Sequence, residues 1–430
     1  MSNDAEDLPV LHVDMDAFYV EVERQRDPSL VGKAVVVGGS SDRGVVASAS
    51  YEARMRGVRS AMPSAQARKL CPDAVFVSAH FSQYRAASQA VHRVFHSITP
   101  LVEPIALDEA FLDVSGAHLL FGSSEEIAWR IRHDILETVG LDCSVGVASN
   151  KLLAKLASVA AKPRATPRGI QAGAGVRVVN GADARSFLHG HPVAALWGVG
   201  AATLRRLQGI GVASVGDLSR VSEASLVQLL GHAHGRHLAM LSHGVDDRPV
   251  VPEREAKSIS HEETFEVDVT DIARMRSEIV RLADGVASRL RRAGLACRTV
   301  QLKVRSPELR SVSRSQTLTE STDVGKVIAD TAVALLDRLD TSGGVRLIGV
   351  AATGLAPPGP EQLELLHSLE EVGAPDDLVV PWGRVSAAMD EIRARFGTEA
   401  IAPGARSRRS EHSEQGGGPG ERRWGPDRSI

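Results

Sequence analysis

Two acidic clusters have the residue types for metal chemistry. Asp14-Met15-Asp16 closes an apolar run, and Leu107-Asp108-Glu109 lies much later between apolar flanks. Carboxylates at strand ends are costly to desolvate unless a positive group satisfies them. Mg²⁺ would do so, because it takes hard oxygen ligands and leaves room for substrate phosphates and water. Surface turns or salt-bridge partners are the alternative for either cluster alone. Tyr51 and Arg54 are three apart in a helical pattern, hence on one face. A planar guanidinium and a phenol suit phosphate oxygens, although such a pair also occurs as plain surface. Leu196-Trp197-Gly198-Val199-Gly200, followed by Leu204 and Leu207, lets backbone N–H groups approach a phosphate. A simple Gly-rich turn between helices is its other reading.

The elements that must position these residues follow from periodicity. Residues 10–16 alternate apolar and polar, predicting a half-buried strand that carries Asp14. Residues 18–26 predict a helix stopped near Asp27-Pro28. Strands are predicted over 33–37 and 44–47, and helices over 50–56, 62–70 and 81–98. Residues 102–114 predict two strand segments about a turn at the acids, followed by a helix over 125–139 and a strand over 143–148. Such alternation out to about residue 175 indicates an α/β or α+β unit. Short helices separated by Gly fill 183–244, and the polar stretch 246–257 predicts a linker. Strand and helix patterns return over 258–353. Beyond Pro357 the chain is loop-rich, and its last segment, from Ala405, has the composition of a disordered tail.

Read in order, HVDMDAFYVEVE, ASYEARMRGVRSAMP, LDEAFLDVSG, SVGVASNKLLAKLAS and AKP resemble the Y-family DNA polymerases, most closely the bacterial DNA polymerase IV branch. The resemblance runs over roughly residues 8 to 354, with a family-like extension to about 401. It implies an α+β multidomain right-hand polymerase. The palm, a ferredoxin-like antiparallel sheet plus helices, would comprise residues 8–17 and 84–175. Small fingers would span 18–83, and a helical thumb with a helix-hairpin-helix 176–245. A linker would cover 246–258, an α+β little finger 259–354, an extension 355–404 and the tail 405–430.

The same resemblance assigns roles. Asp14, Asp108 and Glu109 would be the catalytic metal carboxylates and Met15 would add its carbonyl, holding two Mg²⁺, with Mn²⁺ as an alternative ion. Tyr51, Arg54, Lys162 and Ser48 would bind the nucleotide phosphates. Tyr19 would be the sugar gate, excluding a 2′-hydroxyl; taken by itself it reads first as a core aromatic of the 18–26 helix. Val45 and Ala47, both small, would roof the nascent base pair. Asp16 is left out of the ligand set because the chain turns there. One departure is Ala106, where the family usually has a Ser two positions before the Asp of the second motif.

Partners follow as expectations: primer–template DNA, dNTPs and a sliding clamp. Gly198 and Gly200, with Arg305 and Arg314, would touch the DNA backbone. Between Asp271 and Arg314, eleven Lys or Arg face four acids, a local net of +7 in a chain of net charge −3. A merely solvated charged face is the other reading of that cluster. Gln362, Leu363, Leu365 and Leu366 of QLELL resemble a clamp-docking peptide, and read alone they are also an ordinary helix start.

The activity expected is translesion synthesis with low fidelity and without proofreading, by a monomer in a bacterial cytoplasm at the nucleoid. The first twenty residues hold Asp4, Glu6 and Asp7 and no long apolar run, so no signal peptide is expected. No apolar run reaches about eighteen residues, so no membrane span is expected. Three scattered cysteines give no disulfide or zinc spacing. A non-catalytic scaffold should have lost the metal acids, and a nucleotidyl cyclase on a similar palm would need neither the hairpin, the basic segment nor QLELL.

Overall fold

The computed structural model describes residues 8–39, 41, 43–253, 255–358, 382–397 and 400–403. QLELL and the tail lie outside them. The chain divides into two units, one running to residue 254 and one beginning at 255.

The first unit opens with β1 (Val10–Met15) and α1 (Phe18–Arg26), then β2 (Val35–Gly38), β3 (Val46–Ala49), α2 (Tyr51–Met55), α3 (Ser64–Leu70) and β4 (Val75–Val77). The helix α4 (Phe81–Ile98) leads into β5 (Val102–Pro104) and β6 (Glu109–Asp113). After α5 (His118–Phe121) come α6 (Ser124–Val139), β7 (Cys143–Ala148) and α7 (Lys151–Ala161). Short strands β8 (Arg164–Thr166), β9 (Gly169–Gln171) and β10 (Val176–Val178) precede five helices: α8 (Gly181–His189), α9 (Ala201–Gln208), α10 (Val215–Leu218), α11 (Glu223–Leu230) and α12 (His232–Ser242).

Five strands form the central sheet in the order β10-β7-β1-β6-β5. β1 pairs antiparallel with both β6 and β7, whereas β10 joins the edge parallel to β7. Alternation along β1 sends Leu11, Val13 and Met15 into one core with Val91, Phe95 and Ile131. Val10 faces a second core with Phe111 of β6, Leu152 and Leu156 of α7, and apolar residues of the helices after β10. A separate three-stranded sheet, β3-β2-β4, lies within residues 18–83. Asn150 caps α7 by accepting the Leu153 N–H at 3.1 Å.

The polar stretch predicted as a linker is partly structural. Asp246 is buried and accepts from the Leu152 N–H at 3.0 Å, while Arg248 pairs with it. Lys151, buried at the start of α7, forms an ion pair with buried Glu103 and donates to the Pro249 carbonyl at 3.1 Å. Glu103 also accepts from the Val251 N–H at 2.9 Å. Residues 246–251 are thus tied to the sheet unit by paired buried charges.

The second unit contains β11 (Ser258–Val269), α13 (Ile272–Arg292), β12 (Ala296–Arg305), β13 (Ser311–Thr322), α14 (Gly325–Leu336), β14 (Val345–Ala356) and α15 (Trp382–Phe396). Its sheet runs β11-β14-β12-β13. Val300 and Leu302 face a core with Ile279, Leu282 and Ile328 of α13 and α14. The alternate residues Gln301, Lys303 and Arg305 lie on the other face.

Candidate active site

Asp14 stands directly opposite Glu109 on β6 and Ser144 on β7. Asp108 lies one residue before β6, and its carbonyl accepts from the Met15 N–H at 2.9 Å. The turn into β6 is closed by the Ile105 and Ala106 N–H groups, which donate to the Glu109 carbonyl at 3.0 and 3.3 Å. Ala106 therefore serves this turn through its backbone, which needs no hydroxyl. One ladder and one turn bring together the three predicted acids.

Their charges are unequal. Burial, then the neighbouring Asp14 and Glu109 charges, push the Asp108 carboxyl up to about 7. Burial also works to raise Glu109, but a hydrogen bond from His12 and the Lys155 ammonium outweigh it and hold it at about 2. Lys155 donates to Glu109 Oε2 at 2.6 Å, and His12 Nε2 lies 3.4 Å from the same oxygen. His12 is fully buried and its Nδ1 meets Ser158 Oγ at 2.7 Å.

Lys162, the residue that ends α7, donates to Asp14 at 2.9 Å, to the Met15 carbonyl at 3.0 Å and to Asp16 at 3.2 Å. The resemblance implies a place beside the nucleotide phosphates; in the structure the ammonium touches the acids. Among the described residues no three ligating side chains already converge as a metal cage. The donor set nevertheless fits Mg²⁺. It offers the oxygens of Asp14, Asp108, Glu109 and the Met15 carbonyl, and burial and then the like-charged neighbours push the Asp108 carboxyl up, a cost that a cation would relieve.

Beside these acids, the Arg54 guanidinium lies 4.9 Å over the Tyr51 ring and its Nε donates to the Ala49 carbonyl at 2.9 Å. Ser50 caps this helix, accepting the Ala53 N–H at 3.3 Å. Tyr51, Arg54, Arg59 and Arg164 line a cleft of about 540 Å³ with no carboxylate in its wall. Ser48 does not line it and is buried in β3 opposite Val37. Val45 is partly exposed and bridges to Pro63; Ala47 follows in β3.

Tyr19 stacks on Tyr84 with centroids 4.4 Å apart and meets Phe81 edge-on at 6.0 Å. Burial, and then the Asp108 charge, raise its phenol above the usual range. The Tyr84 hydroxyl donates to buried Glu23, which also holds His80 and Arg26 at 2.8 and 2.7 Å. Local sequence missed His12, Lys155, Ser144 and this Glu23 anchor. All four lie inside the motifs HVDMDAFYVEVE and SVGVASNKLLAKLAS, but nothing in their types or spacing ties them to the acids.

In the turn at residues 196–200, Gly198 adopts φ +95°, a conformation that L side chains rarely take, and Gly200 precedes α9 with open space around it. Trp197 packs between the Lys155 ammonium at 5.6 Å and the Arg248 guanidinium at 5.0 Å. In the second unit, at least four residues of the basic cluster are ion-paired among the described residues, with acids that include Glu262, Glu263, Asp337 and Asp390 outside the 271–314 window. Arg305 and Arg314, grouped from sequence, emerge on opposite faces of their sheet. Arg305 pairs in register with Ser311, whereas Arg314 pairs with the core residue Leu302.

Three carboxylates gathered at strand ends beside an arginine-lined cleft suit the class of enzymes that handle phosphate groups with metal ions. The comparisons narrow that class. The impB/mucB/samB family matches residues 13–159, and its C-terminal domain matches 256–365. A DNA polymerase IV of Streptomyces coelicolor is 46% identical over 82% of this chain and 72% of its own length. One from Desulfatibacillum aliphaticivorans is 40% identical over 92% of this chain and 96% of its own. Among solved structures, a Y-family DNA polymerase chimera superposes with a TM-score of 0.70 at 26% identity, covering 80% of this chain and 98% of that one. An insertion ternary complex of Dbh DNA polymerase gives 0.58 at the same identity and coverage. The chain belongs to the impB/mucB/samB family and is a Y-family DNA-directed DNA polymerase.

Proposed function

We infer that the chain carries out translesion synthesis by nucleotidyl transfer from a dNTP to a primer 3′-hydroxyl, with low fidelity and without proofreading. The decisive observation is the β1–β6 register, which sets Asp14 opposite Glu109 and brings Asp108 into their field. Asp14, Asp108, Glu109 and the Met15 carbonyl would hold two Mg²⁺. When bound, the ions would ease loss of the 3′-hydroxyl proton and neutralise charge on the triphosphate. Lys155 and His12 hold Glu109 ionised and oriented. Tyr51, Arg54 and Lys162 would clamp the β- and γ-phosphates, with Arg54 facing the acid-free cleft.

Residues 8–17 and 84–175 serve as palm, 18–83 as fingers, 176–245 as thumb and 259–354 as little finger. Tyr19, fixed by its stack on Tyr84, lies under the incoming sugar. Val45 and Ala47 make a small roof with few contacts, so selection falls mainly on base pairing. Gly198, Gly200 and Arg305 approach the DNA backbone. QLELL docks on the sliding clamp; its support is the sequence alone. The enzyme acts as a monomer at the bacterial nucleoid.

Extension past a template guanine carrying a bulky minor-groove adduct tests this function. Wild type should extend past it, Val45→Trp should stall there, and a mispaired 3′ end should survive incubation without dNTPs. Excision of that end, or failure on undamaged template, would contradict it.

A further inference from the structure

Asp16 is excluded from the proposed ligand set, yet it is 7% exposed and among the most buried acids of the first unit. The chain turns immediately after β1. The Asp16 N–H donates to the Asp142 carbonyl at 2.9 Å, and Ala17 follows in the left-handed region at φ 49°. The carboxylate thus follows β1 rather than lying on it, and a single ammonium, that of Lys162, reaches both it and Asp14. A carboxylate so buried persists only where hydrogen bonds and opposite charge satisfy it.

Its partners come from three elements. Ser144 Oγ on β7 lies 3.1 and 3.0 Å from the two carboxylate oxygens. Lys162 Nζ, at the end of α7, donates at 3.2 Å, and the Tyr51 hydroxyl, at the start of α2, donates at 3.5 Å. Two of these three are the side chains assigned above to the nucleotide phosphates. They belong to segments far apart in sequence, and Asp16 is the acceptor they share.

We propose that Asp16 is a positioning residue that holds Lys162 and Tyr51 together as one phosphate clamp. The Lys162 ammonium stands between Asp14 at 2.9 Å and Asp16 at 3.2 Å. A second acceptor shares the ammonium and keeps it from settling wholly on Asp14 and the Met15 carbonyl. Ser144 fixes the carboxylate plane, so lone pairs remain directed at Lys162 and Tyr51. Asp16 thereby supports triphosphate binding without ligating an ion. The assignment rests on the proposal that Lys162 and Tyr51 contact the phosphates.

The test uses the full chain on a primer–template and compares Asp16→Asn, Lys162→Ala and the double variant. The readouts are kcat, KM for dNTP, the Mg²⁺ concentration giving half-maximal rate, and equilibrium dATP binding to a dideoxy-terminated primer complex. Loss of a charge-assisted hydrogen bond in Asp16→Asn should raise KM about tenfold and weaken dATP binding equally, with a smaller loss in kcat. The Asp16→Asn effect should largely vanish in the Lys162→Ala background, because the two act through one contact.

A shifted Mg²⁺ requirement with unchanged dATP binding would make Asp16 a metal-site residue and overturn the proposal. If Lys162→Ala weakens dATP binding but Asp16→Asn does not, Asp16 fails while the phosphate assignment stands. If neither variant alters dATP binding, the phosphate assignment itself is wrong, and the proposal falls with it. Should Asp16→Asn not fold, Ser144→Ala, which removes only the orienting hydroxyl, decides by the same readouts with a smaller shift in the same direction.

Discussion

Asp14 and Glu109 lie directly opposite one another across the β1–β6 ladder, and burial together with their two charges pushes the adjacent Asp108 up to about 7. Ion binding requires Asp108 as a carboxylate, so it must displace a proton whenever the free enzyme is below that value. Affinity for Mg²⁺ should fall about tenfold per pH unit below 7 and level off above it. Calorimetry in buffers of different ionisation enthalpy should register about one proton released per site near pH 6. Affinity that does not change between pH 6 and 8 would contradict the crowding of these acids.

Tyr19 is wedged by aromatic neighbours, and that wedge has a measurable consequence. Tyr19→Ala should keep polymerisation and raise ribonucleotide incorporation at least about tenfold, or ~1.4 kcal/mol of discrimination. Tyr84→Ala removes the stacked ring at 4.4 Å and should cause a smaller loss of the same kind. Ratios of kcat/KM for rNTP and dNTP report both; unchanged sugar discrimination in Tyr19→Ala would end its assignment as a gate.

The helix Phe81–Ile98 and the strand Cys143–Ala148 fall on the residues predicted, because each carries a sustained apolar period; Phe18–Arg26 does so through its stop at Asp27-Pro28, since Val20 and Val22 alternate as in a strand. Ranges near Gly and Ser drifted: a strand expected over 44–47 lies at Val46–Ala49, where Val45 instead bridges to Pro63. β4, β8, β9 and β10 are three residues each, too short to show a period. In α7, Lys151, Lys155 and Ser158 recur at helical spacing, and Asn150 caps the run. In the site, the acids were legible as types at strand ends. The partners that control their charge were not, because Lys155 and His12 meet Glu109 only through tertiary packing.

The buried pair Lys151–Glu103 should dominate the stability of the segment after α12. Removing one partner strands a charge whose surroundings exclude water, so Glu103→Gln should cost about 3 to 5 kcal/mol. Replacing both, as Lys151→Met with Glu103→Leu, should cost less than the single change. Urea unfolding measures the comparison. Equal stability of Glu103→Gln and wild type would show that the pair does not hold residues 246–251.

Arg305 and Arg314 should separate in their DNA binding because they leave opposite faces of one sheet. Arg305 shares its face with Lys303 and the hydroxyls of Ser311 and Ser313. If that face meets the duplex, Arg305→Ala should reduce the salt dependence of primer–template affinity by about one unit of slope. Arg314→Ala should leave the slope nearly as in wild type. The reverse pattern would place the DNA on the other face.

Single-nucleotide extension of a primer–template by the purified full chain with Mg²⁺, beside the Asp108→Ala/Glu109→Ala double variant, is the most direct measurement. Extension by wild type that disappears in the double variant, while primer–template binding is retained, is the predicted result. No extension by wild type, or extension that survives loss of both acids, would contradict the assignment of Asp14, Asp108 and Glu109 as the centre of nucleotidyl transfer.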